Sequence, residues 1–261
     1  MRALFTAATG MEAQQMRIDA ISNNLANVNT TGFKKWRPDF QDLFYQVLQA
    51  PGARSAGGAA LPTGTQIGHG VRVASIGRVH TQGDRQNTGG ELDLTIDGEG
   101  FFQVQKPGGE TIYTRDGSFS RDRDGNVVSA DGFLLLPNIT IPSDALDITV
   151  TRDGTLSVSI PGQTELSQVG QINLVRFVNP EGLRALGGNS FAPTDSSGDP
   201  ETGTPDATGF GSIAQGALEG SNVNVAEELV NMILAQRAFE VNSRVIQAGD
   251  EMLQTATSVT R

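Results

Sequence analysis

The chain has 261 residues, of which 37% are hydrophobic and only 6% aromatic, with 32 glycines and 11 prolines, a composition suited to thin β layers and turns rather than a thick aromatic interior. A formal charge of −10 with no long basic stripe argues against nucleic acid as a partner, and the lack of cysteine excludes disulfides, thiolate metal ligands and thiol nucleophiles. No uncharged apolar run approaches the ~18 residues of a bilayer span, so direct membrane insertion is not expected, and Glu12, Gln14 and Gln15 interrupt the apolar start at Ala3 to Phe5 before it reaches the form of a cleaved signal.

In chain order, the first predicted element is a helix. Leu4, Met11, Ile18 and Leu25 recur every seven residues beside a second stripe of Ala7, Gln14, Ile21 and Val28, the pattern of an amphipathic helix from about Leu4 to Val28. Asn27, Asn29, Thr30, Thr31 and Gly32 then supply turn and C-cap residues. The stretch from Ala50 to Gly70 is rich in glycine and proline and reads as an extended loop.

Alternation marks the middle as β. Leu92, Leu94 and Ile96 alternate with Asp93, Thr95 and Asp97, as a half-buried strand requires, and similar short patterns follow at Ile148 and Val150, Leu156 to Ile160, and Ile172 and Leu174. Five Asp-Gly pairs, beginning at Asp97, Asp116, Asp124, Asp131 and Asp153, suit tight or bulged turns. Asp195 to Gly211 is polar and again reads as a loop or linker.

A second long helix closes the chain. Val225, Met232, Phe239, Ile246 and Leu253 are spaced by seven residues, and Asn224 stands at the N-cap with Glu227 in capping-box position. Run to about Ala256, this helix would be ~48 Å long. Residues 1 to 37 hold five basic and two acidic side chains, whereas 217 to 261 hold six acidic and three basic, so charge favours pairing of the two ends by a small increment for each exposed pair.

Catalytic chemistry finds little to work with. Only His69 and His80 are present, not placed on one helical face, and no serine sits in a nucleophile-elbow pattern. Asp122, Asp124 and Asn126 suggest a calcium loop, yet Gly125 is at the fourth position and Phe133 stands where a bidentate acid belongs. Gly98-Glu99-Gly100 follows a strand but leads into another strand at Phe101 and Phe102, with no helix N-terminus to receive a phosphate. No catalytic, cofactor or metal residue is assigned.

Two terminal motifs carry a family resemblance. Ser22-Asn23-Asn24-Leu25-Ala26-Asn27-Val28-Asn29-Thr30-Thr31-Gly32-Phe33-Lys34-Lys35 resembles the N-terminal signature of flagellar rod and hook proteins, and Ser221-Asn222-Val223-Asn224-Val225-Ala226-Glu227-Glu228, continuing to Glu240, resembles the C-terminal one. Gly98 to Phe102 and Tyr113 to Phe119 extend the likeness through the interior. The length is that of a rod subunit, and Tyr45 to Pro62 resembles the insertion that marks distal rod subunits of the family.

The resemblance implies an α+β protein: long N- and C-terminal helices paired in a coiled-coil-like core layer, an extended connector, and a central, mainly antiparallel β domain. The expected divisions are residues 1–32, a connector over 33–85 with the insertion at about 46–62, a β domain over 86–216, and 217–261. It implies a non-enzymatic, torque-transmitting subunit of the bacterial flagellar basal body that spans the periplasm as a straight hollow tube of many copies, exported by the flagellar export apparatus without a cleaved signal. Implied partners are proximal rod proteins, hook protein, P and L ring proteins and rod cap. Leu4, Met11, Ile18, Leu25, Val225, Met232, Phe239, Ile246 and Leu253 would line the inner tube, and a stiffening segment would include Gln46, Pro51, Gly52 and Pro62. The alternatives are a hook or proximal rod subunit, or a monomeric carbohydrate-binding or hydrolytic β protein.

Overall fold

A computed structural model describes residues 2–50, 63–162 and 165–259. The fold is α+β, and the chain divides into two compact units. One is assembled from Met1–Leu25, Trp36–Gly77 and Asn224–Arg261; the other from Ala26–Lys35 and Arg78–Val223.

The first unit holds the helices α1 (Arg2–Ala26) and α2 (Val225–Val259) and the strands β1 (Trp36–Asp42), β2 (Tyr45–Gln49), β3 (Thr65–Gly68) and β4 (Val71–Arg78). At 35 residues, α2 is ~52 Å long. Its start is set by Asn224, whose Oδ1 accepts hydrogen bonds from the amides of Ala226 at 3.0 Å and Glu227 at 3.3 Å, while Glu227 and Glu228 bring negative charge to the positive end of the helix dipole. β1 lies beside β4, and β2 runs antiparallel to β3 from Tyr45 opposite Gly68 to Gln49 opposite Thr65; of the Ala50 to Gly70 stretch read as an extended loop, Thr65–Gly68 is therefore a paired strand. Pro51, Gly52 and Pro62 fall outside the described residues.

The second unit is β throughout. Its strands are β5 (Arg85–Asn87), β6 (Leu94–Asp97), β7 (Phe101–Gln105), β8 (Thr111–Thr114), β9 (Phe119–Arg121), β10 (Val127–Ser129), β11 (Leu134–Leu135), β12 (Asp147–Val150), β13 (Thr155–Ser159), β14 (Ser167–Gln171), β15 (Leu174–Arg176), β16 (Arg184–Gly187), β17 (Ser190–Ala192), β18 (Glu201–Gly203), β19 (Ser212–Gln215) and β20 (Ala217–Glu219). The largest sheet runs β16-β17-β8-β7-β11-β10-β9, with β15 pairing both β7 and β18, and β12-β13-β14 form a separate antiparallel sheet.

Period-two geometry explains why this sheet has two cores. On β7, Phe102 and Val104 enter a cluster with Leu135, Leu156, Ile172 and Leu174. The neighbouring Phe101 turns to the other face and meets Tyr113, Val175, Phe177 and Phe191. Phe102 and Phe119 meet edge to face at 5.2 Å, a geometry favoured by the ring quadrupoles.

Three sequence expectations change here. The alternation puts Thr95 on the solvent side of a half-buried strand, but β6, paired with β19 and with Leu94 and Ile96 in the core, buries Leu94, Thr95 and Ile96 alike. Of the five Asp-Gly pairs, those at Asp124, Asp131 and Asp153 join antiparallel neighbours, whereas those at Asp97 and Asp116 end strands that pair elsewhere. Asp195 to Gly211 also contains β18, hydrogen-bonded to β15, so it is not merely a linker.

Candidate assembly surfaces

The helix pair is read most directly from its contacts. Asn24 Nδ2 lies 3.3 Å from Glu228 Oε2, and Arg17 Nη2 donates to Asn231 Oδ1 at 3.3 Å. Further along, a Cβ on Gly10 would come within 2.9 Å of Asn242 Nδ2, and one on Gly249 within 2.6 Å of Leu4 Cδ2. As residue numbers fall on α1 they rise on α2, so the helices are antiparallel.

Small residues dominate this seam. Ala7, Ala13 and Ala20 are buried on α1, and Ala235 and Gly249 on α2. Of the predicted stripes on α1, the second places Ala7 and Ile21 in the seam, whereas the nine assembly residues flank it: Leu4, Met11, Ile18, Leu25, Met232 and Ile246 are half-buried, while Val225, Phe239 and Leu253 are exposed. Larger apolar side chains point away altogether. Leu229, Val230, Ile233 and Leu234 are 44%, 57%, 56% and 56% exposed, and Phe5, Val241, Val245 and Met252 are exposed as well.

Such a distribution is unusual for a helix that serves only its own chain. An amphipathic helix ordinarily hides its large apolar residues and exposes its polar ones, yet the α1–α2 pair hides mainly alanine and glycine, with Ile21 the one large apolar side chain fully buried among its described residues, and leaves Leu229, Val230, Ile233 and Leu234 in water. Large exposed apolar patches mark interaction surfaces. The strands of the same unit behave alike, with Phe40, Phe44, Tyr45, Val47, Leu48, Ile67 and Ile76 exposed. Gln46, half-buried, sits opposite Ile67 in this ladder.

The signature residues hold local structure together. In the helical unit, buried Asn24 closes the turn after α1 by accepting the Trp36 amide at 2.7 Å and donating to the Trp36 carbonyl at 3.0 Å. Asn23 and Ala26 are exposed, and Asn27 Oδ1 accepts from Thr30 Oγ1 at 3.2 Å. In the β unit, Asn222 Oδ1 accepts the Lys35 amide at 2.7 Å while its Nδ2 donates to the carbonyls of Val79 and Thr81. Phe33 and Val223 are buried. Gly32 has φ +67°, and its amide donates to the Glu219 carbonyl at 2.8 Å; a side chain there would strike the backbone of Arg115 and Asp116.

A buried charge cluster lies at the same place, and the sequence reading missed it. Glu219, 1% exposed, receives Lys34 Nζ at 2.5 Å on Oε1 and Arg115 Nη1 at 3.3 Å on Oε2. Lys34 Nζ also donates to the Thr81 carbonyl, the Gly83 amide to Glu219 Oε1, and Arg115 Nη2 to the Gly98 carbonyl at 2.7 Å. Burial is the largest influence on both cations and lowers their pKa values, while Glu219 opposes it. His80 is held neutral, its pKa lowered to about 4 by burial and then by the positive charges of Lys34, Arg115 and Arg78. Lys34 belongs to the N-terminal motif, and Arg115 and Glu219 stand within or beside the other motifs. Their hydrogen-bonding residues were legible; the three-way pairing across distant stretches of chain was not.

Known proteins resemble this chain along its whole length. Residues 4–34 match the family model described as flagella basal body rod protein, residues 95–158 the flagellar hook protein FlgE/F/G D1 domain, and residues 214–259 the flagellar basal body rod FlgEFG protein C-terminal region. The flagellar basal-body rod protein FlgG of Buchnera aphidicola subsp. Acyrthosiphon pisum is 50% identical over 96% of both chains. The protein of the same name from Borreliella burgdorferi is 46% identical over 100% of this chain and 99% of its own. That from Bacillus subtilis is 38% identical over all of both chains.

Proposed function

The chain belongs to the flagellar basal-body rod family and is a structural component of the bacterial basal body, and from this premise we propose that it builds the distal rod by packing α1 and α2 against other copies of itself. The observation that carries this reading is the inverted helix pair, with alanine and glycine inside and Leu229, Val230, Ile233 and Leu234 outside. Covering a few hundred Å² of that apolar surface contributes several kcal/mol for each contact at ~25 cal/mol per Å², before the entropy of association is subtracted. Repetition of one heterologous contact that does not close into a ring gives a helical filament. The inner layer would combine this outer face with Val225, Phe239 and Leu253 from the predicted stripes, and with the half-covered Leu4, Met11, Ile18, Leu25, Met232 and Ile246.

Function on this reading is construction, not catalysis. Torque passes along the tube towards hook protein, with proximal rod proteins at the other end and the P and L ring proteins around it. The exposed apolar strands β1 to β4, including Gln46, supply a second contact between copies that limits sliding and keeps the tube straight. Two experiments test these statements. Purified full-length chain is expected to form straight tubes in negative-stain electron micrographs as its concentration is raised; a solution that stays monomeric throughout contradicts self-assembly. Deleting residues 46–62 is expected to give curved or bendable tubes, and unchanged straightness contradicts a stiffening role.

A further inference from the structure

A groove of about 250 Å³ opens on the helical unit where α1 meets β1 and β4, walled by Met16, Asp19, Ala20, Asn23, Trp36 and Ile76. Four of these side chains are apolar, and Trp36 is the only tryptophan of the chain. Asp19, Asn23 and Ile76 are exposed, so the groove is open from outside. An apolar cavity of ~150 Å³ already holds a benzene ring, and an aromatic side chain therefore fits here.

The same unit carries a ring with nothing over it. Phe44, in the turn between β1 and β2, is 90% exposed, the highest value of any large apolar residue described. Its backbone is tied down on both sides: the Leu43 amide donates to the Gly70 carbonyl at 2.9 Å, and His69 Nδ1 lies 2.9 Å from the Phe44 carbonyl oxygen. The next ring, Tyr45, is braced over Gly68, where an added Cβ would come within 3.4 Å of it. A fixed aromatic has little freedom left to lose on insertion, and rings of this kind dominate interface energetics.

Ring and groove are too far apart to meet within one chain. Strand β1 carries the backbone ~20 Å from Trp36 at its start to Asp42 at its end, and Phe44 lies beyond that. Helix α1 gives the same answer. Gly70, which holds the Phe44 turn, lies against Thr9, whereas the groove runs from Met16 to Asn23, about 10 to 20 Å further along the helix. A protruding apolar group and a complementary hollow on separate patches of one molecule make a heterologous contact that does not close on itself.

Resting on the self-assembly proposed above, we infer that Phe44 of one copy inserts into the groove of Met16, Ala20, Trp36 and Ile76 on the next. The area involved favours another copy in a polymer over a separate binding protein. Phe44 and Tyr45 supply ~150 Å² or somewhat more each, well short of the ~800 Å² per partner in a stable pairwise complex. Such a contact does not hold two molecules together unaided. Repeated between copies already joined through their helices, it strengthens each junction and fixes its register.

Trp36 reports directly on its own groove. Its fluorescence in the intact chain is expected to shift to the blue as tubes form, because a phenyl ring replaces water beside the indole. Phe44→Ala should raise the concentration at which tubes appear by about tenfold and abolish the shift in the tubes that do form. Ile76→Asp, at an exposed position, should do the same. An equimolar mixture of the two variants should regain part of the shift, since one retains the ring and the other an intact groove. Wild-type tubes with the emission of the monomer, a shift retained in full by Phe44→Ala, or a mixture no different from its separate components would each overturn the contact while leaving assembly through the helices standing. Absence of tubes at every concentration would overturn both.

Discussion

At the scale of single residues, Glu219 is the most consequential side chain outside the cores. It is the shared acceptor for Lys34, Arg115 and the Gly83 amide, so Glu219→Gln leaves two cations buried without their counter-charge. Breaking a buried pair in this manner costs about 3 to 5 kcal/mol, and chemical denaturation of the variant should show a loss of that size. His80 gives a pH signature. Its folded pKa, about 4, lies below the ordinary value of 6.5, so the unfolded chain takes up the proton first as the pH falls. The stabilisation is complete above pH 6.5 and is lost as pH drops towards 4, at most about 3 kcal/mol from this residue. His80→Phe, which retains the edge-to-face packing on Phe101 and Phe191, should flatten unfolding free energy against pH over that interval. An unaltered slope would mean that carboxylates alone set the acid sensitivity. Neither role could be read from the sequence, because Lys34, His80, Arg115 and Glu219 are far apart in the chain and charged residues there have no periodicity to betray a shared interior.

At the scale of elements, the helices were the most legible part of the molecule. Their seven-residue repeats, the Asn224 cap and the Asn27–Gly32 stop place both within a few residues of α1 and α2. What the repeats could not reveal was which face each helix turns to its partner in the same chain. Hydrophobic spacing treats every apolar position as a wish for burial, and it does not say whether a neighbouring element or another molecule grants it. Alanine and glycine carry little weight in such patterns, yet Gly10 and Gly249 set the approach of the pair. Gly10→Leu and Gly249→Leu should each push the helices apart and lower their thermal stability, with the β unit unaffected by near-ultraviolet spectroscopy. Asn224→Ala should remove about 1 kcal/mol through loss of the cap. Strands of the β unit were legible where alternation was strong, as at Leu156 and Val158. The paired strands β1 to β4 were not, since few of their side chains are buried and glycine-rich sequence disguises a ladder held mainly by backbone hydrogen bonds.

Across the whole molecule, two kinds of stability are divided between two units. The β unit has its own cores, with Phe102, Leu135, Leu156, Ile172 and Leu174 fully buried. The helical unit conceals mainly small side chains and leaves most of its large ones uncovered, so under the proposed self-assembly its full stability would belong to the assembled state and should rise with protein concentration by mass action. This is the physical content of a structural rod protein. The most direct test is the assembly of Ile233→Asp, a substitution at a position already 56% exposed and therefore harmless to the isolated chain. The variant should keep wild-type circular dichroism and sediment as a monomer at concentrations where the wild type forms tubes. Tubes forming from Ile233→Asp at the wild-type threshold would contradict the assignment of this face to contacts between copies.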